Sequence, residues 1–199
     1  MHPNFIVSVN RGIEMSNLAE SFDYFSYKDY KRWDDGVRYE LINGEAYMMS
    51  SPSIWHQRVV LSLGNQLSQF LEDKPCEAFI APVDVRLFPE KDESDDTIVQ
   101  PDVFVVCDKA KLDDGKACMG APDFAVEVVS SSSKMIDKVK KDLYCNAGVK
   151  EYWMIGQNKL QTYILVDGKY SETIYEMNPS RVLEIPVSVL PGCVIKFKP

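Results

Sequence analysis

The sequence predicts an α/β protein with a mixed β-sheet and helices on its faces. Two stretches repeat apolar residues at helical spacing, and several short apolar runs have the composition of buried strands. The helices interrupt the series of strands instead of preceding or following all of it, which favours a mixed sheet covered on both sides. The chain has 199 residues, of which 45% are hydrophobic, and this is enough for one domain with its own core.

The first elements are a short helix, a hairpin and a long helix. Ser26 can cap a short helix over YKDYKRWDD, which Gly36 ends. Asn43-Gly44 separates two extended runs and is a strong hairpin signal. The stretch from residue 51 to 73 has one apolar face, which predicts an amphipathic helix. That face consists of Val59, Leu63, Leu67, Phe70 and Leu71.

The second half of the chain alternates strands with one helix. We expect strands in CEAFIAPVDVRLF, PDVFVVCD and PDFAVEVVS, and a solvated acidic loop from Glu90 to Asp96 that lacks the glycine of a calcium-binding hand. SSKMIDKVKKDLYCNAGV predicts a helix ended by Gly148. The strands KEYWMIG, KLQTYILV and KYSETIYE follow, and Asp167-Gly168 makes a hairpin turn between the last two. PGCVIKFKP adds a short edge strand.

Composition narrows the class of protein. No window holds 18 consecutive apolar residues and no signal peptide begins the chain, so we expect no membrane association and a cytoplasmic location. Residues 1–23 are weakly patterned and are expected to form an N-terminal extension, with a single domain over residues 24–199. The net charge of −8 argues weakly against a broad basic surface for nucleic acid.

The cysteines and histidines suggest neither a disulfide framework nor a zinc site. The five cysteines form no CxxC motif and are expected to be reduced. They are Cys76, Cys107, Cys118, Cys145 and Cys193. The two histidines, His2 and His56, are too few for a zinc site built on histidine.

Glu127 lies inside an apolar run, where an unpaired carboxylate costs several kcal/mol. Pairing with a buried Arg or Lys is one explanation. The other is a divalent cation shared with Asp102, which opens the preceding strand, because Mg²⁺ and Mn²⁺ prefer oxygen ligands. Glu40 or Glu45, on either side of the Asn-Gly turn, offers a third carboxylate, although such residues are commonly ordinary hairpin carboxylates.

A lysine would complete such a site, because an ammonium can orient an attacking water and neutralise developing charge. Lys140 lies roughly 60° from the centre of the apolar face of its helix, whereas Lys138 and Lys141 lie roughly 140° and 160° away. We therefore expect Lys140 to lean over the sheet. His56 and Gln57, at the start of the long helix, are accessory candidates, although a lone histidine is more often structural.

Four segments together resemble the Uma-two family of restriction endonucleases, within the PD-(D/E)XK nuclease superfamily. They are RYELINGEAYMMSSPSIWHQ, PDVFVVCD, GAPDFAVEVVSSSS and KKDLYCNAGVKEYWMI, and the ending LPGCVIKF adds to the resemblance. The resemblance implies a restriction-endonuclease-like fold, with a central mixed β-sheet flanked by helices. It also implies an endonuclease that hydrolyses phosphodiester bonds in nucleic acid, with DNA as the expected substrate and Mg²⁺ as the cofactor, which Mn²⁺ can replace.

The same resemblance assigns roles to residues. Asp102, Glu127 and Glu40 would hold the metal. The lysine stands four residues before the tyrosine of the last segment, which selects Lys140, whereas counting forward from Asp137 selects Lys141. By analogy with similar folds, we expect a homodimer.

Two other classes of function stay open at this stage. The first is a catalytically inactive module on a nuclease fold that binds nucleic acid or protein. The net charge and Ser131, which stands where the family has proline, favour it, and the retained carboxylates argue against it. The second is an acidic, metal-binding structural protein, which has no better motif support. No GxSxG motif supports serine catalysis.

Overall fold

The structure is a computed structural model that describes residues 23–129, 134–178 and 180–197. Apart from Asp23, the predicted N-terminal extension over residues 1–23 lies outside the described residues, as does the serine run 130–133. The single domain over residues 24–199 stays a prediction. Within the described ranges, no helix is both long enough and apolar enough to cross a membrane.

The first half of the chain contains two helices and most of the short strands. In order, these elements are α1 (Tyr27–Tyr30), β1 (Tyr39–Ile42), β2 (Glu45–Met48), α2 (Ile54–Leu71), β3 (Glu77–Ile80), β4 (Asp84–Arg86), β5 (Ile98–Val99) and β6 (Val103–Val106). The remaining elements are β7 (Ala117–Met119), β8 (Phe124–Val128), α3 (Lys134–Ala147), β9 (Glu151–Ile155), β10 (Lys159–Val166), β11 (Lys169–Glu176), β12 (Leu183–Pro186) and β13 (Val194–Phe197).

A six-stranded mixed sheet forms the centre of the fold, in the order β11-β10-β9-β8-β6-β3. Strands β8 and β9 pair in parallel and the other neighbours pair antiparallel. A second sheet has the order β2-β1-β5-β4-β7, and β12 pairs with β13. The predicted mixed α/β fold is therefore confirmed, and the second sheet is an addition to it.

The two sheets separate at a point where the sequence predicted one continuous strand. CEAFIAPVDVRLF forms β3 and β4, which lie in different sheets on either side of the cis peptide bond Ala81-Pro82. The acidic loop is also different from the prediction of a solvated run. Asp95 is buried and accepts a hydrogen bond from Arg86 Nε at 2.8 Å, because the guanidinium on β4 would otherwise be a buried charge without a partner.

Turn chemistry explains the hairpins, which are confirmed. Asn43 and Gly44 have φ of 50° and 80°, and Asp167 and Gly168 have φ of 49° and 76°, as two-residue turns between twisted strands require. Helix α1 is shorter than predicted and ends at Tyr30, well before Gly36. The chain after it turns so that the Trp33 ring packs edge-on against Tyr39, 5.2 Å between ring centroids.

Helices cover both faces of the central sheet. The buried face of α2 packs on Phe124, Val126 and Val128 of β8. On the opposite face, Leu143 and Tyr144 of α3 pack against Ala125. Because successive side chains of a strand point to opposite faces, Glu127 shares the α3 face with Ala125.

The expectation of reduced cysteines is wrong for one pair, because Cys76 and Cys107 form a disulfide. The pairing of Glu77 with Val106 places the two cysteines opposite each other, just beyond the ends of β3 and β6. Their separation of 31 residues gives no motif in the sequence. Cys118, Cys145 and Cys193 are free. A cytoplasmic location stays a prediction.

Candidate active site

A buried lysine joins the two sheets through two carboxylates. The ammonium nitrogen of Lys140, on α3, lies 2.6 Å from Oε1 of Glu127 and 2.8 Å from Oε1 of Glu40. Glu127 belongs to the central sheet and Glu40 to the second sheet. Each of the three residues is at most 9% exposed. One ammonium thus contacts two buried carboxyl groups that belong to different sheets.

Burial sets the protonation of this group. Removal from water raises the pKa of Glu127 to about 8, against the lowering effect of Lys140 and with further raising by Asp102 and Glu40. Burial opposes the charge of Lys140, but the two carboxylates outweigh it and raise the pKa of its ammonium. Lys140 is therefore charged at neutral pH, while Glu127 sits near the point at which it exchanges a proton.

Tyr144 is a second partner of Glu127. It stands one helical turn after Lys140 on α3, and its hydroxyl donates to Oε1 of Glu127 at 2.6 Å. Burial, together with the charge of Glu127, raises the pKa of the Tyr144 hydroxyl well above its usual value. The hydroxyl consequently keeps its proton and remains a donor.

Glu40 is held by the main chain as well as by Lys140. The backbone amide of Gln100 donates to Oε1 of Glu40 at 2.8 Å. Gln100 follows β5, which is the neighbour of β1 in the second sheet. Strand β1 is buried along its whole length, and this carries Glu40 away from solvent and towards the seam between the sheets.

Asp102 lies directly before β6 and beside Glu127. Strands β6 and β8 pair with Val103 opposite Val126, and the next step of this register places Asp102 opposite Glu127. Oδ2 of Asp102 accepts the amide of Val128 at 2.7 Å and lies 3.1 Å from Nε2 of His56. Because a carboxylate oxygen can only accept, this contact assigns the histidine proton to Nε2.

His56 is positioned by the start of α2. Ser53 caps the helix by accepting the His56 amide at 3.1 Å. Nδ1 of His56 is buried and has no hydrogen-bond partner among the residues that the structure describes. The imidazole is therefore held against Asp102 from one side only.

The structure gathers most of the predicted site residues and leaves three aside. Glu40, Asp102, Glu127, Lys140 and His56 lie in the group described above. Gln57 is exposed on α2. The ammonium of Lys141 lies 5.5 Å from the ring centroid of Tyr163, and Glu45 is an exposed hairpin residue whose carboxylate accepts the Tyr47 hydroxyl.

Two residues of the group were missed in the sequence. Tyr144 could have been found, because it lies four positions after Lys140 and so shares its helix face. Gln100 acts on Glu40 through its backbone amide, which every residue except proline possesses. No side-chain pattern could have identified it.

The donor chemistry of the group fits a hard divalent cation. Asp102, Glu127 and Glu40 supply carboxylate oxygens, and the single ammonium does not balance their charge. Within ranges 23–129, 134–178 and 180–197, no three Asp, Glu, His or Cys side chains form a ready-made metal cluster. The ammonium of Lys140 contacts the oxygens of Glu127 and Glu40.

Comparison with known proteins identifies the family. The family model described as "Uma2: Putative restriction endonuclease" matches residues 27–196. The chain belongs to the Uma2 family. The description of the family supports a nuclease-like function, and the match covers all of the carboxylates discussed above.

One curated relative and one solved structure are also similar to the chain. A protein of Synechocystis sp., named "Uncharacterized protein sll1609", is 30% identical over 129 residues. That match covers 64% of this Uma2 chain and 65% of the relative. A crystal structure titled as a "putative nuclease belonging to DUF820" from Anabaena variabilis has a TM-score of 0.66 at 14% identity. It covers 86% of this chain and 94% of that one, and the likeness confirms the nuclease-like α/β fold.

Proposed function

We propose that this Uma2 protein is a metal-dependent endonuclease that hydrolyses phosphodiester bonds in DNA. The observation that carries the proposal is the buried ammonium of Lys140 between Glu127 and Glu40, beside Asp102. A protein core rarely retains a group of like charges unless the group binds or reacts, because each buried carboxylate is destabilising. The nuclease-like function of the family supplies the reaction for which carboxylates and a lysine are needed.

In this proposal Asp102, Glu127 and Glu40 hold Mg²⁺, which Mn²⁺ can replace. The ion would lower the pKa of a bound water and stabilise charge that develops on the phosphate. The Val128 amide and Nε2 of His56 both contact Oδ2 of Asp102, so these two groups would orient Asp102 as it holds the ion. Glu127 must first lose the proton that its raised pKa favours.

The remaining residues of the group orient the carboxylates and the attacking water, or neutralise charge on the phosphate. Lys140 stays charged and can direct the attacking water or balance charge on the phosphate once the ion takes over its carboxylate partners. The Tyr144 hydroxyl fixes the rotamer of Glu127, and the Gln100 amide fixes Glu40. His56 and the Val128 amide fix Asp102. These four contacts hold the carboxylates in place without any contribution from substrate.

Digestion of supercoiled plasmid with Mg²⁺, with Mn²⁺ and with EDTA tests the proposal. We expect cleavage by the wild type with either ion, none with EDTA, and a loss of at least about a hundredfold in Glu127→Gln. Glu45→Gln is the matched control, because it makes the same chemical change at an exposed hairpin position outside the site. Equal cleavage by wild type and Glu127→Gln would exclude the assigned site.

The inactive nuclease-fold module is the second candidate. The observation that favours it is that Lys140 already neutralises part of the carboxylate charge, while the described residues contain no ready-made three-ligand cluster. The same assay separates the two functions. An absence of cleavage by every variant, together with salt-sensitive binding of nucleic acid, would support the module.

We also propose that the protein is a homodimer, since two copies related by a twofold axis would bring two sites to the two strands of a duplex. This rests on analogy with similar folds. Light scattering on the eluate of a sizing column measures the mass directly. A monomer that cleaves both strands would refute the dimer and leave the active site unaffected.

A further inference from the structure

A small aromatic pocket adjoins the candidate active site. It has a volume of about 230 Å³ and lies between α1, the loop that follows it and β1. Tyr30 and Trp33 contribute aromatic rings to its wall, Arg38 contributes a cation and Gln100 contributes an amide. Lys31 also lines the pocket, but its ammonium is paired with Glu93. Aromatic rings together with cations form the usual surface for an unpaired nucleotide, because a base stacks on the ring and its phosphate binds the cation.

The pocket has the opposite charge to the chain as a whole. The protein has 30 acidic and 22 basic residues, yet none of the residues lining this pocket is acidic. A neighbouring basin, by contrast, includes Glu93 and Asp114 in its lining. Because Glu93 neutralises Lys31, the positive charge of the pocket comes from Arg38, and it suits an anion despite the overall net charge of −8.

Arg38 is held in a way that leaves its charge available. Its Nη2 donates to Oε1 of Gln100 at 2.7 Å, so a neutral amide positions the guanidinium. Among the described residues it forms no ion pair with a carboxylate. Arg86, in comparison, is buried and neutralised by Asp95. An exposed guanidinium that is positioned but not neutralised is suited to bind a phosphate.

Gln100 connects the pocket to the carboxylates. Its side chain binds Arg38, and its backbone amide binds Glu40. Arg38 also precedes Glu40 by two residues on an extended chain, which corresponds to about 7 Å. A nucleotide in the pocket would therefore lie beside a phosphate located at the carboxylates.

We infer that this pocket, defined by Tyr30, Trp33 and Arg38, binds one unpaired nucleotide of the substrate strand next to the bond that is cleaved. The inference rests on the proposed function and adds a substrate class to it. The base packs against the aromatic wall and its phosphate binds Arg38. A base inside a duplex cannot enter, so the pocket selects strands with an unpaired nucleotide beside the cleavage position.

Binding without metal tests the pocket separately from catalysis. Fluorescence anisotropy would follow a labelled single strand and a blunt duplex of the same sequence, in EDTA, with wild type, Arg38→Ala and Arg32→Ala. Arg32 is the matched control, because it is an exposed cation in the neighbouring basin and does not line the pocket. We expect the wild type to bind the single strand more tightly than the duplex.

For Arg38→Ala we expect single-strand affinity to fall about tenfold and the salt dependence to lose about one phosphate contact. Arg32→Ala should change affinity by less than about twofold, as a rim charge does. Trp33→Leu should also bind about tenfold more weakly. Trp33 packs against Phe25, Tyr30 and Tyr39. The affinity of Trp33→Leu is therefore interpreted only if its circular dichroism spectrum matches that of the wild type. If the spectra differ, the test rests on Arg38→Ala.

Several results would overturn the inference. They are equal losses in Arg38→Ala and Arg32→Ala, equal affinity of the wild type for single strand and duplex, or no binding of the single strand. Adenosine monophosphate binding as tightly as the strand would indicate a free nucleotide instead. Normal cleavage by Arg38→Ala with unchanged binding would refute the pocket and leave the endonuclease standing. If no variant cleaves DNA but Arg38→Ala loses binding of the single strand, the pocket is supported and the endonuclease is refuted.

Discussion

Replacing Glu127 by glutamine should make the metal-free protein more stable while removing its response to Mg²⁺. Glutamine has nearly the same shape and can still accept the Tyr144 hydroxyl through its amide oxygen, but it carries no charge. Lys140 keeps Glu40 as a partner. The substitution therefore removes the cost of keeping a buried carboxyl protonated at neutral pH and little else.

The magnitude follows from the raised pKa of Glu127, about 8 against a usual value of 4.5. Below pH 4.5 the carboxyl is protonated in the folded and unfolded states and has no effect on the free energy of unfolding. Between pH 4.5 and 8 the unfolded chain ionises while the folded protein keeps the proton, so stability falls by about 1.4 kcal/mol per pH unit. At pH 7 the wild type has lost about 3 kcal/mol, which Glu127→Gln should recover in part.

Urea unfolding in EDTA at pH 5 and pH 7.5 measures this difference. We expect Glu127→Gln to exceed the wild type by about 1 to 3 kcal/mol at pH 7.5 and by much less at pH 5. Saturating Mg²⁺ should stabilise the wild type, by about 2.7 kcal/mol at a hundred times the dissociation constant, and leave Glu127→Gln unchanged. Glu45→Gln should match the wild type throughout. A Glu127→Gln protein that is less stable than the wild type at pH 7.5 would show that Glu127 is an ionised, stabilising partner of Lys140, and would refute the reasoning.

Three further predictions concern the same group. The affinity for Mg²⁺, measured by calorimetry, should rise between pH 6 and pH 8, because Glu127 has to release a proton to bind the ion; an affinity independent of pH would contradict its raised pKa. Lys140→Met should lower the metal-free free energy of unfolding by about 3 to 5 kcal/mol, since the buried Glu40 carboxylate loses its counter-charge, whereas Lys141→Met, which removes an ammonium 5.5 Å from the centroid of the Tyr163 ring, should change it by less than about 1 kcal/mol. Tyr144→Phe should lower the free energy of unfolding by about 1 kcal/mol. We expect the cleavage rate to rise with pH as Glu127 loses its proton, and Tyr144→Phe should move this rise to higher pH, because Glu127 loses a donor that favours its charged form. An unmoved pH profile would show that this hydrogen bond does not act on the charge of Glu127.

Local patterns in the sequence predicted much of the fold and of the candidate site. The turn at Asn43-Gly44 and the helical repeat of apolar residues in α2 depend on neighbouring residues only, so both could be predicted. The position of Lys140 followed from its angle on the helix, and Glu127 attracted attention because it lies in an apolar run. In each case the deciding interaction is visible within a few residues of the chain.

The features that were missed depend on contacts between distant segments. The break at Ala81-Pro82 sends two strands into different sheets, and nothing within CEAFIAPVDVRLF shows that a second sheet is available. Asp95 was expected in solvent because its partner, Arg86, lies on a strand whose pairing could not be foreseen. Cys76 and Cys107 meet only because β3 and β6 pair. Such contacts are decided by tertiary packing, which single-sequence patterns do not record.

The position of Lys140 between the two sheets makes the substitutions of this group unequal in their evolutionary consequences. Loss of Lys140 would loosen the seam between β1 and β8, whereas a neutral residue in place of Glu127 would make the metal-free fold firmer. A lineage that no longer needed the site could therefore discard the glutamate readily and would tend to keep the lysine. Retention of both Lys140 and Glu127 is expected where selection acts on the chemistry of the group, even though Glu127 lowers the stability of the metal-free fold.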